Sequence, residues 1–259
     1  MKRITAGLFA LLLIPQALWA SERHFGFSYE SPVLKEDTRE LETYTTYSFG
    51  KDHFFSALEE RVEFEIGLGG DIQTSLYLNF KQAMEDQGLP DGITNEFMFD
   101  GISSEWKLKL SDNVADAVGI GLYGELKFAP DAFETEVKLI VDKKSDNFLW
   151  ALNLTAEPEF SFVENTPTAW NIAPSLGVGY FLSEHFLLGV EAVNENVYDG
   201  DPSVNIMSTV SVGPVISYTS KNWWMTLSAL PQVANLNAPG LDLTESQRWR
   251  IRLATSFSL

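Results

Sequence analysis

The last twelve residues, RWRIRLATSFSL (Arg248–Leu259), decide how the rest of the chain is read. Arg248, Arg250 and Arg252 alternate with Trp249, Ile251 and Leu253, and Phe257 and Leu259 carry the apolar phase to the end. Period-two alternation of full charges with large apolar groups marks a strand with two unlike faces. The same pattern recurs upstream. RVEFEIGL (61–68) opposes Val62, Phe64, Ile66 and Leu68 to Arg61, Glu63, Glu65 and Gly67. IQTSLYLNFK (72–81) puts Lys81 on a polar face with Gln73, Ser75, Tyr77 and Asn79. ISSEWKLKL (102–110) sets Glu105, Lys107 and Lys109 against Trp106, Leu108 and Leu110. VGIGLYGELKF (118–128) contributes Glu125 and Lys127, and FETEVKLIV (133–141) contributes Glu134, Glu136 and Lys138.

Each run is about ten residues, enough for a tilted strand to cross a bilayer, whereas strands of soluble domains are commonly about five or six. Connections alternate between short turns, such as Gly67–Asp71 and Ser183–His185, and longer ones, such as Gln82–Asp100 and Val233–Thr244. Short turns on one side and longer loops on the other are expected of an outer-membrane barrel. From Glu40–Phe49 to the closing strand the count is about twelve, an even number as that class requires. The fold expected is all-β: a transmembrane antiparallel up-and-down β-barrel of about twelve strands over residues 40–259.

Residues 1–20, MKRITAGLFALLLIPQALWA, read as a cleaved signal peptide: Lys2 and Arg3, an apolar run from Ala6 to Ile14, then Ala20 before the cut. Pro15 and Gln16 interrupt the run well short of the roughly 20 residues of a membrane helix. Residues 21–39 fit no strand of an even-numbered barrel, although Phe25, Phe27 and Tyr29 alternate. They are expected as an extended periplasmic segment or a plug in the barrel mouth. The chain carries 36 acidic and 18 basic residues, net −18, which argues against nucleic acid as a partner. It has no cysteine, so disulfides and thiol chemistry are excluded.

Aromatic residues are expected where strands meet the membrane interfaces. Trp150, Tyr180, Tyr218, Trp223 and Trp224 flank short turns, and Trp170 and Trp249 flank long loops. The polar phase supplies candidate lumen-lining residues: Glu42, Arg61, Glu63, Glu65, Lys81, Glu105, Lys107, Lys109, Glu125, Lys127, Glu134, Glu136, Lys138, Arg248, Arg250 and Arg252. Closure of last strand on first is expected to bring Arg250 and Arg252 near Glu40 and Glu42. Such charges either pair and fill the interior or orient a solute in a polar passage. About twelve strands lie between the filled eight and the open sixteen, so size alone leaves both readings standing.

Catalysis is not expected. The only histidines are His24, His53 and His185, and His53 has Asp52 and Ser56 close by in sequence. Triad members usually come from separated segments. No Gly-x-Ser-x-Gly, His-Glu-x-x-His or phosphate loop is present. The acidic loop residues lack calcium-loop spacing, so no metal or cofactor is expected.

The final residues resemble the assembly signal of bacterial outer-membrane barrels, with Arg252, Ala254, Phe257 and Leu259 in its places. Ala254 stands where glycine is commoner, and the last residue is Leu rather than Phe. YESPVLKEDTRELETY (29–44), FDGISSEWKLKL (99–110), PSLGVGYFLSEHFLLGVEAVN (174–194) and GPVISYTSKNWWMTLSALPQ (213–232) resemble a family of uncharacterised proteobacterial outer-membrane barrels, a domain of unknown function. The family is more distantly similar to aromatic-compound outer-membrane channels. The resemblance implies a barrel in the bacterial outer membrane and supplies no catalytic residue. A passive channel for small solutes of unknown identity is therefore expected, with a closed barrel acting through its acidic loops as the alternative and a lipid-active enzyme third. Expected partners are outer-membrane lipid, lipopolysaccharide and the barrel-assembly machinery.

Overall fold

Alternation every second residue is what a two-faced sheet requires, and the chain supplies it with few breaks. In the computed structural model the strands are β1 (Arg39–Phe49), β2 (Phe55–Gly69), β3 (Ile72–Asp86), β4 (Ile93–Ser111), β5 (Gly119–Phe128), β6 (Ala132–Ser145) and β7 (Phe148–Ser161). They continue as β8 (Pro167–Ile172), β9 (Ser175–Ser183), β10 (Phe186–Asp199), β11 (Asn205–Thr219), β12 (Trp223–Asn235) and β13 (Trp249–Ser258). The structure describes residues 22–86, 88, 92–162 and 167–259. The expected signal peptide, 1–20, lies outside the described residues.

Apart from β8 and β9, every strand pairs antiparallel with its neighbour in sequence, and β13 pairs with β1 to close the barrel. β8 and β9 both pair with β7 and β10. They are two pieces of one stave, broken at Ala173 and Pro174, so thirteen segments make a barrel of twelve staves. Proline has no N–H to give to a ladder, and a break is where a sheet tolerates it. The β2–β3 turn is tight because Gly69, Gly70 and Asp71 all take positive φ (77°, 61° and 61°).

The outer wall is apolar: Val62, Phe64, Leu76, Trp106, Leu126, Leu154 and Val190 are all exposed. Aromatics ring it at both ends. Phe148, Tyr180, Tyr218 and Trp223 cluster beside the short turns, with Trp150 on the same outward phase. Tyr47, Phe49 and Trp249 stack at the long-loop end, where Trp170 lies opposite Pro158 and Tyr198. Trp224 departs from this expectation. It is fully buried in the interior against Tyr44 and Ala254, because consecutive strand residues face opposite ways and Trp223 already takes the outer wall.

The stretch 82–100 also differs from the expected loop. Glu85, Asp86, Glu96 and Asp100 belong to strands: β3 runs to Asp86 and β4 begins at Ile93, with Asp86 opposite Ile93. β4 is 19 residues long and pairs with β5 only from Ile102 onward, so its portion before Ile102 is bonded on one side, to β3. Residues 236–248 are held against the barrel rim, Gln232 bonding Asp242 and Gln247, and Leu243 accepting from the Asp52 N–H.

Candidate functional site

The interior of the short-turn half is occupied by the chain's own residues 23–34. Arg23, His24, Phe25, Ser28, Tyr29, Glu30, Ser31 and Leu34 are buried. Glycine lets the segment fit: a Cβ on Gly177 of β9 would lie 2.6 Å from the Phe25 ring. Phe25 fills an apolar patch made by Leu149, Ala151, Phe181, Leu187 and Val215, residues that alternation turns inward. Tyr29 packs on Tyr123 and Ile140.

Polar groups of the wall then satisfy the segment's backbone. Glu191 of β10 accepts the N–H groups of Gly26, Phe27 and Ser28, each at 2.9 Å, and the Ser228 hydroxyl. Asn153 accepts from the Tyr29 N–H (2.6 Å) and donates to the Tyr29 carbonyl (2.9 Å). Gln73 accepts the Leu34 N–H, Lys107 donates to the Pro32 carbonyl, Thr226 to Arg23 and Arg252 to Gly26. Hydrogen bonds to a charged group contribute about 1.5–3 kcal/mol each, which makes Glu191 the dominant anchor. The Arg23 guanidinium lies 3.5 Å from the centre of the Tyr29 ring and bonds the Tyr44 hydroxyl. Phe27 lies under Arg252, 4.1 Å from ring centre to guanidinium carbon, with Arg250 beside it at 5.2 Å.

Toward the long loops the charges pair with each other. Lys81 meets Glu59 at 3.5 Å, Lys127 bridges Asp100 (2.9 Å) and Glu134 (3.1 Å), and Lys138 meets Glu136 at 2.6 Å. Arg61 of β2 approaches Glu125 of β5 at 3.7 Å, and Arg250 of β13 reaches Glu195 of β10 at 3.1 Å. The expected neighbourhood of Arg250 and Arg252 with Glu40 and Glu42 is thus corrected. Antiparallel register pairs Glu42 with Ser256, and sets Thr46 opposite Arg252 and Ser48 opposite Arg250, so the arginines lie higher in the barrel than the glutamates. Two more candidates do not line the interior. Arg248 is exposed on the rim before β13, and Lys109 sits at the short-turn rim, bound to Asp71 at 2.8 Å.

Glu42, Glu63, Glu65 and Glu105 come together with Glu40 in a cluster on β1, β2 and β4. Charge alternation foretold their inward phase. Asn153, Thr226 and Ser228, the uncharged partners of the inner segment, carried no signal that distinguishes them from other strand polar residues. The three histidines lie apart. His24 is inside, between Glu22 and Glu30. His185 is exposed on a short turn near Tyr218. His53 sits on the long-loop rim with Nε2 2.8 Å from Glu85 and Nδ1 2.7 Å from Asp52. Those hydrogen bonds, Glu85 first and then Asp52, raise its pKa above the ordinary value.

No curated protein matches the chain. Among solved structures it is similar to the NanC porin (TM-score 0.56, 10% identity, covering 85% of this chain and 100% of that one). It is also similar to the KdgM porin (0.51, 12%, 85% and 99%) and to the β domain of the Bordetella autotransporter BrkA (0.53, 9%, 87% and 100%). At such identities the likeness concerns the barrel alone. The sequence gives a closer relation, since the family of unknown function DUF6662 matches residues 17–259, inner segment and all twelve staves together, and the chain belongs to that family.

Proposed function

We propose that the protein is a bacterial outer-membrane channel for small solutes, shut at its short-turn, periplasmic half by residues 23–34. The observation that carries this reading is the chemistry of the wall around that segment. Glu191, Asn153, Gln73, Lys107, Thr226 and Arg252 hold it by hydrogen bonds. Such groups exchange protein partners for water at small net cost, so the wall remains viable with the segment displaced. Barrel size supports the same reading, because the chain spans nearly the full length of two proteins named as porins. One of them was solved in complex with oligogalacturonate. In this chain the basic residues of the long-loop half are matched by Glu59, Asp100, Glu134, Glu136 and Glu195, which favours weak charge selectivity. Enzymatic function is not part of the reading: both His53 nitrogens face carboxylates rather than a serine. The apolar wall would meet lipid and lipopolysaccharide, and the closing strand the barrel-assembly machinery.

Single-channel conductance of the refolded mature chain tests this. Rare or small steps are expected from the native protein, and larger, longer ones from Glu191→Ala. Silence from both, in barrels shown to be folded, would establish the alternative of a closed barrel working through its loops.

A further inference from the structure

Glu40, Glu42, Glu63, Glu65 and Glu105 are at most 3% exposed, and they face one another across β1, β2 and β4. Carboxylate oxygens of Glu40, Glu42 and Glu65 lie within 4.8 Å of one another, as do those of Glu63, Glu65 and Glu105, so Glu65 joins two triplets. Several of these groups are already oriented by a donor. Glu42 accepts from Tyr44, Glu65 from Gln73 and Glu40 from Ser256. Each of Glu42 and Glu65 then leaves its other oxygen without a hydrogen-bond partner, and Glu63 leaves both.

A second observation is independent of the acids. The Tyr77 and Ser75 hydroxyls, each on a residue 1% exposed, also lack a partner of hydrogen-bonding geometry. Strand register places Tyr77 opposite Glu63 and Ser75 between Glu65 and Glu105, all on the inward phase. The nearby cations are three against five acids and none makes a close pair with the cluster: Lys107 donates to the Pro32 carbonyl, Arg61 pairs with Glu125, and Arg23, stacked on Tyr29, comes no nearer Glu42 than 4.0 Å. Buried like charges this close need a counter-charge, and orphaned hydroxyls among them offer further oxygen ligands.

We propose that this cluster binds a divalent cation, with Glu63, Glu65 and Glu105 as ligands and Glu42 beside them. The donors are all oxygen, which selects a hard ion. Calcium suits the site better than magnesium: it accepts irregular all-oxygen shells, whereas magnesium demands near-ideal octahedral geometry and retains several waters. Gln73 holds Glu65 and Tyr44 holds Glu42 in place, as a second layer of donors does at metal sites. Gln73 bonds both Glu65 and the Leu34 N–H, so the ion lies one side chain from the inner segment and its binding steadies that segment.

The test is calorimetric titration of calcium chloride into the refolded, chelator-treated mature chain, paired with thermal unfolding. Saturable binding and a rise in unfolding midpoint with calcium are expected. Glu63→Gln and Glu105→Gln, which keep side-chain shape and relieve repulsion, should fold and weaken binding by about tenfold or more. Glu59→Gln, on the same strand but outside the cluster, should bind as the native chain does. Absence of binding to the native chain, or undiminished binding in both glutamine variants, overturns the proposal. So does an infrared carbonyl band of protonated carboxylic acid that persists under saturating calcium and disappears in Glu63→Gln, since a shared proton would then be the counter-charge.

Discussion

The two halves of the interior draw on the same charged residues and use them differently. In the short-turn half most of the charges are buried, and several bond to residues 23–34, as Glu191, Lys107 and Arg252 do. Toward the long loops most are part-exposed and bond to each other, as Lys81–Glu59 and Arg250–Glu195 do. Exposure governs what such contacts contribute. A buried acceptor that loses its place strands its donors, whereas a solvated ion pair contributes little. The short-turn half is therefore expected to govern stability and closure, and the long-loop half to tune what approaches.

Glu191→Ala tests this contrast most severely. It leaves the N–H groups of Gly26, Phe27 and Ser28 without an acceptor; a loss on the order of 3 kcal/mol is expected. Hydrogen exchange at those amides should accelerate accordingly, and unchanged protection would collapse the distinction between the halves. Gly177→Val comes next. Its side chain would overlap the Phe25 ring, and overpacking costs about 1–3 kcal/mol. Denaturant unfolding should show that loss, with Phe25 becoming accessible to solvent.

Arg250→Ala belongs to the other half. It breaks a part-exposed pair with Glu195, so its stability cost should stay below about 1 kcal/mol. Its effect is expected in the reversal potential across a salt gradient, shifted toward cations. A large stability loss without a selectivity change would assign Arg250 a structural job. The smallest effect is a pH dependence at the rim. The raised pKa of His53 means that its charged pairing with Glu85 and Asp52 is complete below its ordinary value of 6.5 and disappears as pH climbs through the raised one. Amide exchange around residues 50–54 should accelerate over that interval, while exchange in the inner segment stays level. His53→Gln should abolish the dependence.

The outer wall was the legible part of the sequence. Leu76, Trp106 and Leu126 face outward because their phase in each strand leaves no other choice. The inner segment was harder, because Phe25, Phe27 and Tyr29 alternate as a strand would, yet they pack on wall residues far away in the chain, Phe25 on Leu149 and Tyr29 on Tyr123 and Ile140. Trp224 was misplaced by its nearness to a turn, although its neighbour Trp223 already held the outward phase. Charge pairing was hardest of all. Arg250 and Glu195 lie three staves apart in the closed barrel, and only the curvature of the wall brings them face to face. The cluster around Glu65 was visible as inward acids, but nothing in the spacing told which oxygens would find donors.

The height of β4 has one further consequence. Its 19 residues span about 60 Å along the strand, about twice the hydrocarbon thickness of a bilayer. Above Ile102 its far side offers N–H and C=O groups to no neighbouring strand among the described residues. An open row of this kind is a template on which another chain can add itself and begin to aggregate. The sequence carries deterrents there: Glu96 and Asp100 are charged, and Gly101, at φ 112°, bends the strand where its second partner begins. Two acids and a bend thus guard the tallest part of the wall, and exchanging Glu96 and Asp100 for valine would be expected to make the barrel prone to edge-to-edge association.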